Sequence, residues 1–281
     1  MAAVLSVTTV PSPKVLLRRL SVGRVTAKVE AAQPIRYSFV AMRIALQIFL
    51  VACLWRALYA QTPSSGGLDK AQAVSYAVLA ILITRQPSII DRYSARDALL
   101  THIQQGTVLY WFLRPMPPRR YYFVRALGDL LYTLAWVVPG YVLCLVTGLV
   151  QLPASWAAAG VFVLAFVLGL ATMYFLNLLM DLTCFWAVRN VFLMLIFQLV
   201  QNLLSGVYAP LWFFPAWFAT LASVLPFQGI VSVPLSLYVG RIAPSHAWGA
   251  LGVQVVWLVA LALLTRFIWS RAALRVTVQG G

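Results

Sequence analysis

The sequence predicts an all-α polytopic membrane protein of six transmembrane helices, with both termini in the cytoplasm. Three observations predict it. The 281-residue chain is 62% hydrophobic and only 10% charged, with a mean hydropathy of +0.88. Soluble domains carry roughly a quarter charged residues, so the solvent of this chain is largely lipid. Six apolar runs approach the ~20 residues that a helix needs to cross a bilayer. Finally, the 21 basic residues, against 6 acidic ones, gather on one side once those runs are drawn as spans.

Residues 1–35 precede the first run. The first 29 contain no acid and several Arg, Ser and Thr. An organelle transit peptide reads the same way, but a cytoplasmic N-terminal segment is the preferred reading. Residues 15–29 can form an interfacial helix, although their charges segregate weakly on a helical wheel. Span one covers 38–59, with Arg43 and Arg56 near its ends, where long side chains snorkel. Span two covers 71–83 and extends through Gln86. Spans three to six cover 122–150, 156–188, 191–207 and 246–269, and residues 272–281 form a cytoplasmic tail. Eighteen basic residues then fall on one side, and only Arg56, Lys70 and Arg241 on the other. The positive-inside rule makes the richer side cytoplasmic. Membrane topology accounts for a pI near 10.4 better than nucleic-acid binding does.

Two connections stand out. The cytoplasmic one runs from 86 to 121. Ser94-Ala-Arg-Asp97 reads as the start of a short helix over about 94–105, with Ser94 as N-cap and Gly106 at its C-terminal stop. The aromatic, proline and arginine residues of 110–120 suit the headgroup layer. The segment is either an ordinary basic inside loop or a docking surface for a cytoplasmic partner. The second connection, 208–244, lies on the outer side between spans five and six. It is too apolar for a water-exposed loop and too broken by Pro210, Pro215, Pro226, Pro234 and Pro244 for a span. Broken backbone at membrane depth survives only when packed on protein or lining a cavity. The expectation is a re-entrant hairpin; a plain aromatic belt is the alternative.

Catalytic and metal-binding signals are missing. There is no phosphate-binding loop G-x-x-x-x-G-K-[ST], no H-E-x-x-H and no C-x-x-C. His102 and His246 fall on opposite sides and cannot share a metal. Cys53, Cys144 and Cys184 sit in apolar runs and read as buried packing thiols. Asp129 and Asp181 are the acids within spans. Each lies near a span end with an arginine in reach, Arg125 and Arg189, so ion pairing is preferred over a proton relay.

The stretch Ile103-Gln-Gln-Gly-Thr-Val-Leu-Tyr-Trp-Phe-Leu-Arg-Pro115 resembles the segment that follows span two in type-2 ABC exporter permeases, the ABC-2 family. Tyr122-Phe-Val-Arg-Ala-Leu-Gly128 is similar to the opening of their third span, and Phe185-Trp186 sits where the family has that pair. Residues Ser205 to Trp217 resemble their S-G-x-x-x-P-L-x-x-F-P-x-W block, followed by Leu225-Pro-Phe227, Pro234 and Gly240. The likeness covers 36–271. It implies a permease domain over those residues, pairing with an identical or related permease above two cytoplasmic ATP-binding subunits. The helix at 94–105 would be the coupling helix, with Asp91, Arg92, Arg96, Asp97 and His102 as ATPase contacts. Trp212, Phe213 and Trp217 of the outer hairpin would line the exit. The chain would bind no cofactor or metal and carry no catalytic residue, ATP and Mg being held by the partner. Its place would be a bacterial inner membrane, in contact with lipid and an exported substrate that the sequence does not name. A non-transporting scaffold or immunity subunit, and a secondary carrier, are the rival readings.

Overall fold

The computed structural model describes residues 34–60, 64–65, 67–84, 118–187 and 191–279. The long helices are α1 (Pro34–Leu58), α2 (Lys70–Thr84), α3 (Pro118–Val146), α4 (Trp156–Leu182), α5 (Val191–Ser205) and α8 (Ala247–Gln279). Two short ones, α6 (Ala216–Val224) and α7 (Ser232–Tyr238), lie between α5 and α8. Among the described residues the only strands are the two-residue pair β1 (Ser64–Ser65) and β2 (Leu68–Asp69), which turn through Gly67 at φ 78°. The six long helices match the six expected runs in order. Three described stretches, Ala41–Leu58, Trp156–Phe185 and Pro244–Ala272, are long and apolar enough to cross a membrane; Lys70–Thr84, Val137–Val146 and Phe192–Ser205 are shorter apolar helices.

Helix α2 is the centre of the body. Eleven consecutive residues, Ala73 to Ile83, are buried, as expected for a helix apolar all round. It starts on a reciprocal cap. The Gln72 backbone N–H donates to Asp69 Oδ1 at 2.7 Å, and the Asp69 N–H donates to Gln72 Oε1 at 3.0 Å. Two orphan amides of the first turn are thereby satisfied. Helix α1 packs on α2 through a narrow stripe, Ile48, Ala52 and Trp55, spaced three and four residues apart. The rest of α1 shows Phe39, Met42, Leu46, Phe49 and Leu54 outward, each more than half exposed. An apolar flank of that length has lipid or protein as its natural surroundings.

Helix α3 contains Pro139 and stops at Gly148, whose φ of 67° turns the Leu149 N–H back to the Cys144 carbonyl at 2.9 Å. Ser155 caps α4, its Oγ accepting from Ala158 N–H at 3.0 Å. Helix α4 packs mainly against α8 and α7.

The α1–α2, α3–α4 and α5–α8 connections meet at one end of the bundle. Gln151 N–H donates to Ser75 Oγ, Ala154 N–H to the Tyr238 carbonyl, and Gln72 Nε2 to the Val239 carbonyl. At the opposite end a separate apolar cluster joins Tyr122 of α3, Leu178 and Leu182 of α4 and Trp269 of α8. Consecutive long helices therefore alternate in direction. The cysteines need one correction. Cys144 and Cys184 are buried as expected, but Cys53 is exposed, because it falls on the outward flank of α1 rather than on its packed stripe. All three are free thiols.

Candidate functional site

The five residues expected to contact an ATPase, Asp91, Arg92, Arg96, Asp97 and His102, lie outside the described residues, as does the whole helix expected at 94–105. So do Arg189 and the side chains of Arg125 and Asp129. Asp181, half-buried at the end of α4, is not without interactions.

The connection 208–244 is built as a broken hairpin. Gly206 ends α5 with φ 81°, and its carbonyl accepts from the Tyr76 hydroxyl at 3.2 Å. A Cβ at Gly206 would sit 2.8 Å from that hydroxyl, so the close approach requires glycine. A 3₁₀ turn over Leu211–Phe213 leads to α6, Pro215 sitting just ahead of its first residue. A second 3₁₀ turn, Pro226–Gly229, forms the tip, and it touches α4, α5, α6, α7 and α8. Every residue of α7 is buried, against α4, α2 and the tip.

Each break frees backbone carbonyls, and side chains answer them. Trp257 Nε1 of α8 donates to the Val224 carbonyl at the end of α6, at 2.8 Å. Gln228 Nε2 donates to the Ser223 carbonyl. Gln254 Nε2, on a residue only 4% exposed, donates to the Gly229 carbonyl at 2.7 Å and to the Ala165 carbonyl of α4 at 3.2 Å. The tip also presses onto α4 at Gly169, where a Cβ would lie 2.5 Å from the Gly229 oxygen. Gln254 and Gly169 together seat the hairpin. Reasoning from the sequence missed both. The signal for Gln254 was present: it is the lone amide in the apolar run 247–265, and a polar side chain inside such a run bonds across helices.

At the end where the connections meet, Tyr238 donates to the Gln151 carbonyl at 2.6 Å. Its proton is thus committed, so Tyr141, 2.8 Å away, donates to the Tyr238 oxygen. Arg241 lies over the ring of Trp212, 4.3 Å from the centroid.

Two of the three expected exit residues, Trp212 and Phe213, adjoin each other with ring centroids 6.3 Å apart. Trp212 packs edge-on to Tyr76 at 5.2 Å, and Phe213 edge-on to Trp55 at 5.3 Å, so both tie the hairpin back to α2 and α1. Trp217 is 69% exposed on α6 and touches Phe218. A cavity of about 220 Å³ opens elsewhere, between α1, α2 and the chain leaving α5. Leu50, Val51, Ala77, Ile81 and Val207 form its apolar walls, with Gln47 and Tyr208 as the polar members. Among the described residues no cluster of His, Cys, Asp and Glu could hold a metal.

A family model described as ABC-2 family transporter protein matches residues 15–280 of the chain. No curated protein and no solved structure matches it significantly.

Proposed function

Because the chain belongs to the ABC-2 transporter family, we propose that it is the permease subunit of an ATP-driven exporter in a bacterial inner membrane. Membership makes it a membrane transport component, and no catalytic step needs to be assigned to its own residues. Six helices cross the bilayer with both termini in the cytoplasm. The observation that carries this reading is the pairing of a near full-length family match with a proline-broken hairpin seated inside the helical body. Alternation of the long helices supports an even number of crossings. Arg56, Lys70 and Arg241 lie at or near the end where the connections meet, which supports that end as the outer one.

The permease works as a pair, with itself or a related chain, above two ATP-binding subunits that hold ATP and Mg. Energy enters at the helix over about 94–105, through Asp91, Arg92, Arg96, Asp97 and His102. The hairpin over about 208–244 closes the outer exit, and Trp212 and Phe213 fix its position. The outward flanks of α1 and α5 are apolar and unfilled in the single chain, as a paired pathway requires. Charge reversal tests the docking. Arg96→Glu with Asp97→Arg should abolish co-purification of the ATP-binding subunit while the permease still reaches the membrane. Unchanged co-purification and unchanged coupled ATP hydrolysis would remove the docking assignment.

A further inference from the structure

The cavity beside α1 has the features of a ligand site. Helix α5 has 15 residues, about 22 Å of rise, against the ~30 Å of a bilayer core. It stops at Gly206, held by Tyr76 of α2. The cavity lies where the chain leaves α5, well below the end at which the connections meet. Its mouth is on the outward flank: Leu50 is 55% and Tyr208 48% exposed.

Gln47 is the lone amide between Arg43 and Arg56 of α1, and its carbonyl oxygen is buried with no hydrogen-bond partner. Such a group calls for an explanation, by strain, an ordered water or a ligand, and among the buried unpaired atoms of the described residues the Gln47 oxygen is the one on a residue that lines this cavity. Among the described residues no charged side chain lines the cavity. An ion placed there would lose its hydration without a counter-charge, so charged ligands are rejected. In size, a dry apolar cavity of about 150 Å³ accepts benzene. The space of about 220 Å³ here suits a somewhat larger ring or branched chain.

We infer that the cavity bounded by α1, α2 and Val207 binds an uncharged, largely apolar group bearing a hydroxyl or amide, held through Gln47. A hydroxyl or amide both donates and accepts, so it pairs with either end of the Gln47 amide. The inference names a substrate class for the permease proposed above and rests on that reading.

The full chain in phosphatidylcholine nanodiscs is titrated with 1-naphthol and with naphthalene, and uptake by empty discs is subtracted. Naphthol should saturate at one site and bind roughly three- to tenfold tighter than naphthalene, the worth of one hydrogen bond. Gln47→Leu should keep saturable naphthalene binding, lose the preference, and raise the melting temperature by removing an unpaired buried oxygen. Leu50→Trp, at the exposed mouth, should block both probes without unfolding the chain. Equal binding of the two probes by the natural chain, or a preference that survives Gln47→Leu, overturns the proposal. Discs containing diacylglycerol add an uncharged lipid hydroxyl. Unchanged naphthol affinity there assigns the site to cargo, whereas competitive loss would hand it to lipid and overturn the cargo assignment. No step needs ATP or a partner, so failure here leaves ATP-coupled export standing, and the reverse also holds.

Discussion

Gln254 shows how a single side chain permits a break in the backbone inside an apolar helical body. Helical turns satisfy their own amides and carbonyls; a hairpin tip does not, and hydrocarbon offers no substitute partner. The two bonds from Gln254 Nε2 join the tip to α4 across α8. Gln254→Leu should therefore lower stability by about 1–2 kcal/mol, read as a drop in the melting temperature of the full chain in nanodiscs. An unchanged melting temperature would show that the Gly229 carbonyl finds another donor. Gly169 acts by absence: backbone of the tip occupies the place a Cβ would take, which no rotamer change can relieve. Gln47 and Gln254 are visible in the sequence as amides within apolar runs, but what surrounds them is not. The Gly229 carbonyl belongs to a segment 25 residues away from Gln254, and no local pattern encodes that meeting.

At the scale of elements, helix order and approximate bounds are legible from apolar runs, and the boundaries follow from caps. The second apolar run starts at Ala71 in the sequence. The structure starts α2 at Lys70, on the Asp69–Gln72 box, and ties Gln72 on to Val239. Asp69→Ala should cost about 1 kcal/mol, seen as faster amide exchange confined to the first turn of α2. Protection unchanged in that turn would mean the cap is dispensable. The hairpin was legible as a contradiction, a segment too apolar for water and too proline-rich for a span. Its inner division into α6, tip and α7 was not legible. That α7 is buried on every side depends on α4 and α2, which meet it only in the folded bundle. Trp212 and Phe213, expected to line an exit, pack on Tyr76 and Trp55; an aromatic side chain serves packing as readily as a pathway, so residue type alone does not separate the two roles. The cavity instead lies between helices α1 and α2, where the sequence offered only a lone glutamine.

For the whole molecule, the distribution of basic residues and the alternation of helices give one orientation. In the orientation proposed above, the end joining the α1–α2, α3–α4 and α5–α8 connections is the outer one, and the 86–121 connection is cytoplasmic. Single cysteines in a background with Cys53, Cys144 and Cys184 replaced by Ala test it. Ser65→Cys should react with a membrane-impermeant maleimide on intact cells, and Ser21→Cys only after the membrane is opened. The converse pattern would invert the topology. The central claim is that this permease is driven by a separate ATPase. Its most direct test is to purify the chain through its own tag after co-expression with an ABC-type ATP-binding subunit from the same genome, and to measure ATP hydrolysis in nanodiscs. The account predicts a stable complex whose hydrolysis falls to background with Arg96→Glu and Asp97→Arg. A chain that purifies alone, or transports in vesicles without any ATPase, would contradict it.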